Sequence, residues 1–294
     1  MVLDPVSGAR LRTLVATGVV GDSVALNARD HQVYFEEDLG CAHEVWRVDV
    51  AGGAPSRVAL GSAPAISPDG ARLAYALEHI GCGGSDPRAE AAYVRVMVKD
   101  LRTGVIHQYP TAPRRLREEP PLVIRHLSWS ADGVRLALSL EPWQDDTCGV
   151  LAVMDPAVDR YYVPSPKPDP GLNSNSNPDP SPDAAPVSVP GVNGSCYLEG
   201  GYLPDGHLFV IRQVPQDAER GSSGPWRYLM EEIAPGSGVV LRTVAIGERG
   251  RPYLAPSADA SGQWLLYLSG PDLKVVHGEA RARTLASGYL AADW

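Results

Sequence analysis

The chain has 294 residues, 44% of them hydrophobic and 21% charged, the proportions of a globular protein and not of a disordered one. Its formal net charge of −9 argues against nucleic acid or an anionic membrane surface as a partner, since both recruit basic faces. No apolar run reaches the roughly 20 residues that span a bilayer, and the start, Met1-Val2-Leu3-Asp4-Pro5, lacks the basic and apolar stretches of a signal peptide.

Two kinds of hairpin alternate along the chain. The first element, VLDPVSGARLRTL (2–14), has an Asp at the end of a strand and a small turn before the next strand. VALNARDHQVYFEE (24–37) is strand, polar turn, strand, and RVDVAGGAPSRV (47–58) repeats the Asp-ended pattern. AISPDGARLAYAL (65–77) gives the clearest turn: Asp69 caps it and Gly70 supplies a positive φ between two apolar stretches. VKDLRTGVIHQY (98–109), LSWSADGVRLALSL (127–140) and VMDPAVDRYYV (153–163) continue the alternation. YLPDGHLFVI (202–211) and YLAPSADASGQWLLYL (253–268) follow. Asp4, Asp49, Asp100 and Asp155 mark the second hairpin type at steps of 45–55 residues.

Two hairpins per period make a four-stranded unit, and that period is the one of a propeller blade. The stretches 71–77 and 134–140 are nearly continuously apolar, as strands covered on both faces should be. No segment of a dozen residues carries a clean helical period, which excludes a parallel α/β fold. Full blades are expected at about 18–60, 61–112, 122–163, 191–246 and 247–287. The hairpin at 2–17 and the tail GYLAADW (288–294) are expected to join as a sixth blade closed by both ends of the chain. The fold class is therefore all-β, a six-bladed propeller of four-stranded antiparallel blades in one domain over residues 1–294.

SPDGARLAY (67–75), SWSADGVRLAL (128–138) and LPDGHLFV (203–210), each followed by the Asp-containing outer hairpin, resemble the TolB-like six-bladed β-propeller family. The resemblance covers nearly the whole chain and implies the fold more than a function, because such blades serve in periplasmic proteins, receptor and kinase ectodomains and peptidases. This chain departs from TolB itself in showing no α/β domain ahead of the propeller.

Residues 164–190 hold nine prolines and no aromatic residue, and are read as an inserted loop between blades three and four. Cys41, Cys82 and Cys148 fall between the second and third strands of blades one to three, and Cys196 just ahead of blade four. In a four-stranded meander all four then sit on one face. Two disulfides, Cys41–Cys82 and Cys148–Cys196, are one reading, and buried free thiols the other. Disulfides would place the protein outside the cytoplasm, and a start in mid-blade suggests an ectodomain of a longer precursor.

Chemistry is sparsely marked. There is no GxSxG elbow, no HExxH, no phosphate-binding glycine loop and no CxxC pair. His126 and His207, beside an inner strand and a turn, are read as structural. Trp143, Asp145 and Asp146, with Glu78 and His79 in the matching loop of blade two, gather on the cysteine face. They suit a partner-binding face; oxygen ligands for a calcium ion are the alternative use of the same acids. The reading is a non-enzymatic, monomeric, extracytoplasmic module that binds a protein, peptide or glycan, with no cofactor. The alternatives are a metal-dependent hydrolase working in the central channel, for which Glu199 is the sole acid on the innermost strands, and a purely structural ectodomain.

Overall fold

The computed structural model describes residues 2–4, 7–15, 21, 23–40, 42–79, 93–110, 122–142, 149–156, 160–162, 196–215, 226–235, 238–246, 253–259, 261–270, 272–278, 282–288 and 293. Among these residues the structure is all strand and turn, and no helix is long and apolar enough to cross a membrane.

Each repeat folds as a four-stranded antiparallel meander, innermost strand first. Blade 1 contains β3 (Val24–Asn27), β4 (Gln32–Asp38), β5 (His43–Asp49) and β6 (Ser56–Leu60). Blade 2 contains β7 (Ser62–Ile66), β8 (Arg72–His79), β9 (Tyr93–Asp100) and β10 (Ile106–Pro110). Blade 3 is built from β11 (Leu122–Trp129), β12 (Leu136–Pro142), β13 (Val150–Asp155) and β14 (Arg160–Tyr162). Blade 4 follows with β15 (Cys196–Tyr202), β16 (Leu208–Pro215), β17 (Trp226–Ile233) and β18 (Val240–Ile246). Blade 5 ends the series with β19 (Tyr253–Ala258), β20 (Trp264–Ser269), β21 (Asp272–His277) and β22 (Arg283–Ser287).

The expectation of six four-stranded blades needs correction: five are described, accompanied by one two-stranded sheet of β1 (Val2–Leu3) and β2 (Arg10–Arg12). The physical reason is the supply of chain. Outside the five blades the described residues, 2–4, 7–15, 21, 23, 288 and 293, are too few to furnish four strands of five to eight residues. The hairpin nevertheless lies between blades 5 and 1. Leu3 packs on the Leu266, Leu268, Leu273 and Val275 cluster of blade 5, and Arg12 Nη1 donates to the Val50 carbonyl of blade 1 at 2.7 Å.

The expected turns form as their chemistry requires. In blade 2 the Ser67 hydroxyl donates to Asp69 at 2.5 Å and accepts the Arg72 amide at 2.9 Å, while Gly70 has φ 68°. Blade 3 repeats it with Ser130, Asp132 and Arg135, and Gly133 at φ 69°. The outer-hairpin aspartates do the same work in their own turns: Asp4 accepts the Ser7 amide, Asp49 the Ala51 amide and Asp100 the Thr103 amide. Each satisfies a backbone donor that the turn leaves without a ladder partner.

The core is a series of slabs between neighbouring blades. One slab joins Ala74, Val96 and Val98 of blade 2 to Leu127, Leu136 and Leu138 of blade 3. Others join blade 3 to 4 through Leu151, Val153, Leu208 and Val210, and blade 4 to 5 through Phe209, Met230, Leu265 and Tyr267. β8 and β12 contribute to slabs on both sides, which explains their nearly continuous apolar stretches at 73–77 and 136–140.

Candidate functional site

The meander order gives the ring two unlike ends. At one end lie the turns after the first and third strands, hereafter the turn face. At the other lie the connections from second to third strand and from blade to blade, the loop face. The turn face is short and interlocked. Asn27 Nδ2 donates to the Gly70 carbonyl at 3.1 Å, Arg29 Nη1 to the Asp69 carbonyl at 2.9 Å, and Arg72 Nη2 to the Gly133 carbonyl at 2.7 Å. At the loop face β8 ends at His79 and β9 begins at Tyr93, β10 ends at Pro110 and β11 begins at Leu122, β12 ends at Pro142 and β13 begins at Val150, and β14 ends at Tyr162 and β15 begins at Cys196.

Glu78 and His79 end β8, in register with Val94 and Tyr93 of β9; only their backbone is described. Trp143, Asp145 and Asp146 lie outside the described residues, as do Cys41, Cys82 and Cys148. Cys196 begins β15 instead of preceding it, and its backbone pairs with Gln213. The expected disulfides thus rest on residues outside this description.

Near the loop face, sequence reasoning missed a buried carboxylate. Glu36 of β4 is buried; its Oε1 lies 2.7 Å from His43 Nδ1, and its Oε2 accepts the Ala63 amide of blade 2 at 3.0 Å. Ala63 adopts a φ of 49°, a left-handed backbone that a non-glycine residue keeps only when its surroundings hold it there. Gly21 covers the carboxylate so closely that a Cβ would stand 2.6 Å from Glu36 Cγ. The sequence signal was faint, since Glu36 is the first of three acids after Tyr34 and Phe35.

Blade 4 departs from the other turns in a related way. Where blades 2 and 3 have Ser67 and Ser130, it has Leu203, so Asp205 has no hydroxyl at that position. Asp205 Oδ2 instead lies 3.1 Å from His207 Nδ1, which is 2.7 Å from Glu232 Oε1, while Arg242 Nε binds Glu232 Oε2 at 2.5 Å. These three acid and imidazole groups are close enough to hold a cation, but the Arg242 guanidinium already pairs with the buried Glu232.

A channel of about 210 Å³ runs among the innermost strands of all five blades. Its wall includes Leu26 from β3, Ala63 and Ala65 from β7, His126, Ser128 and Trp129 from β11, Gly201 and Tyr202 from β15, and Ser257 from β19. Gly201 lets β11 come close: a Cβ there would meet Ser128 at 3.1 Å and His126 Nε2 at 3.6 Å. His126 is partly open to the channel but is otherwise surrounded by protein, and desolvation pulls its pKa down to about 4. The ring is therefore neutral at physiological pH. Burial likewise pushes the Tyr202 hydroxyl up to about 12. An acid absent from the strand-by-strand sequence reading also lines the channel: Asp293, from the C-terminal tail.

No family model matches the sequence, and no curated protein does. Solved structures do. A putative TolB from Agrobacterium tumefaciens superposes with a TM-score of 0.58 at 12% identity, covering 95% of this chain and 87% of that one. The fold is that of a TolB-like β-propeller. TolB from Acinetobacter baumannii gives a TM-score of 0.53 at 12% identity over 89% of this chain, which spans 53% of that protein. An oligogalacturonate lyase in complex with manganese gives 0.53 at 13% identity, covering 93% of this chain and 67% of the lyase. At such identities the likeness concerns the fold, and the fold is shared with an enzyme.

Proposed function

We propose that this protein is a non-catalytic, extracytoplasmic binding module, presenting its loop face to a protein or peptide. The observation that carries this reading is the asymmetry of the two ends. Side chains of blades 1 and 2 lock their turns onto the next blade, so that end is committed to holding the ring together. At the other end the described strand ends are far apart in sequence, His79 from Tyr93, Pro110 from Leu122 and Tyr162 from Cys196. Connections that vary on a rigid scaffold are where recognition is built. Trp143 supplies a broad apolar contact, and Glu78, His79, Asp145 and Asp146 supply polar ones.

The same reading treats the ring as six sectors, the sixth filled by the β1–β2 hairpin and the C-terminal tail. It also pairs Cys41 with Cys82 and Cys148 with Cys196, which an oxidising compartment would permit.

The test is a selection of random displayed peptides on the immobilised protein, followed by measurement of the selected peptides against single variants. Trp143→Ala and Asp145→Ala should weaken binding at least tenfold with unchanged melting temperature, whereas Arg29→Ala on the turn face should leave affinity intact. The reverse ranking would overturn the assignment of the face.

A further inference from the structure

The innermost strands β3, β7, β11, β15 and β19 each pair on one side only, so their other edges face the channel. Such an edge offers backbone N–H and C=O groups to whatever fills the space beside it. The channel extends to Pro68 and Leu203, in the turns after β7 and β15, and so reaches the turn-face end of the ring. His126 lies midway along β11, and neither of its ring nitrogens has a hydrogen-bond partner among the described residues. Two residues on, Ser128 lines the same channel; its hydroxyl accepts the Tyr202 amide at 3.0 Å and donates to no described group. Gly201 of β15 stands against both. The position its Cβ would take is 3.6 Å from His126 Nε2 and 3.1 Å from Ser128 Oγ, so the glycine keeps the space beside the two polar groups clear of a side chain.

We propose that the channel binds a small uncharged polyhydroxylated molecule, of monosaccharide size, through hydrogen bonds from its hydroxyls to His126 and Ser128. A polar group enclosed by protein is costly to leave without a partner, so the bare imidazole is itself a reason for the channel to be filled. Three features define what fills it. First, an imidazole held neutral by burial offers one donor and one acceptor. An ammonium answers only the acceptor and a carboxylate only the donor, whereas a hydroxyl answers both. Second, the strand edges and the Ser128 hydroxyl are neutral groups, and the carboxylate on the wall, Asp293, is already engaged by the Leu26 amide at 2.9 Å. Third, about 210 Å³ is more than ten times what one water requires, yet below the roughly 300–1,000 Å³ of pockets for drug-sized ligands. Ordered water is the rival occupant, and the experiment separates the two. The site lies inside the ring and does not depend on the reading proposed for the loop face.

The probes are D-glucose, D-galactose, N-acetyl-D-glucosamine and myo-inositol, each titrated into the full-length chain carrying isotope-labelled histidine. Imidazole signals are followed by NMR, and His126 is identified as the signal lost in His126→Gln. At least one probe should move the His126 ring signals to saturation. The charged counterparts, D-glucuronate and D-glucosamine, should bind at least tenfold more weakly. His126→Leu should lose tenfold or more in affinity for that probe at an unchanged melting temperature. Ring signals that stay still with every probe would mean that water alone fills the channel, and would overturn the proposal. Binding that moves other signals but not those of His126 would also overturn it, as would equal binding of the charged counterparts or equal binding by His126→Leu. Should His126→Leu fail to fold, the wild-type ring signals decide the matter alone.

Discussion

The guanidinium of Arg72 in blade 2 lies over the indole of Trp129 in blade 3, 4.5 Å from the ring centroid. The same side chain donates to the Gly133 carbonyl, and the indole nitrogen of Trp129 donates back to the Ala65 carbonyl at 3.2 Å. One blade boundary is thus closed by a cation–π contact and two reciprocal hydrogen bonds. Arg72→Ala should destabilise the protein by about 1–3 kcal/mol, the sum expected for a partly desolvated cation–π contact and one hydrogen bond. Arg72→Lys should recover little of it, since an ammonium cannot stack and donate in the same plane. Chemical denaturation of the three proteins measures both differences; no loss in Arg72→Ala would show that the contact is incidental.

Ala63 and Gly61 make a second, opposed pair. Gly61 has a φ of 140°, and a Cβ there would stand 2.2 Å from the Ala76 carbonyl oxygen, so Gly61→Ala should cost more than about 2 kcal/mol. Ala63, at φ 49°, already bears the strain that glycine avoids. Ala63→Gly relieves it while losing one buried methyl, and should change stability by less than about 1 kcal/mol. Glu36→Ala removes the acceptor of the Ala63 amide and should cost about 1–3 kcal/mol. Equal losses in Ala63→Gly and Gly61→Ala would show that no strain is relieved at Ala63, and unchanged stability in Glu36→Ala would show that its carboxylate does not hold that backbone.

The repeats made most of the fold legible. Ser67-Pro68-Asp69-Gly70 and Ser130-Ala131-Asp132-Gly133 are local devices, each completed within six residues, and they form as the sequence implies. Their carboxyls are held below the usual range chiefly by the Ser67 and Ser130 hydroxyls. What was not legible is long-range. Asp293 reaches Leu26 across 267 residues of sequence, and Glu36 reaches Ala63 across a blade boundary. Neither partner is marked by periodicity or turn chemistry. The sixth blade rests on joining the hairpin at 2–17 to the tail 288–294, and of that blade the described residues form the two strands β1 and β2 alone. For the loop face, Trp143, Asp145 and Asp146 follow from position in the repeat alone, and they lie outside the described residues.

His126 makes stability depend on pH. An unfolded imidazole takes up a proton near its ordinary value of 6.5, whereas the folded one resists until about 4. Between those values the unfolded state binds more protons, so stability falls as the pH drops from 6.5 towards 4. The loss specific to this group approaches about 3 kcal/mol at the acid end. His126→Gln should abolish that part of the slope. Denaturation curves for wild type and variant at pH 7, 5.5 and 4 test it; parallel decline in the two would remove His126 from the account.

The paired-cysteine reading predicts that protein produced in an oxidising compartment has no titratable thiol until reduced, after which all four cysteines react. Peptide mapping without reductant should return Cys41 linked to Cys82 and Cys148 linked to Cys196. Four reactive thiols before reduction would favour the free form and weaken the case for an extracytoplasmic setting.

Hydrogen exchange with and without a peptide selected on the native protein tests the use of the loop face most directly. The account predicts slowed exchange at the loop-face ends of the strands, around 76–79, 93–96, 140–142 and 213–215. Exchange at the turns 28–31, 67–71, 130–135 and 203–207 should be unchanged. Slowing confined to those turns would contradict it.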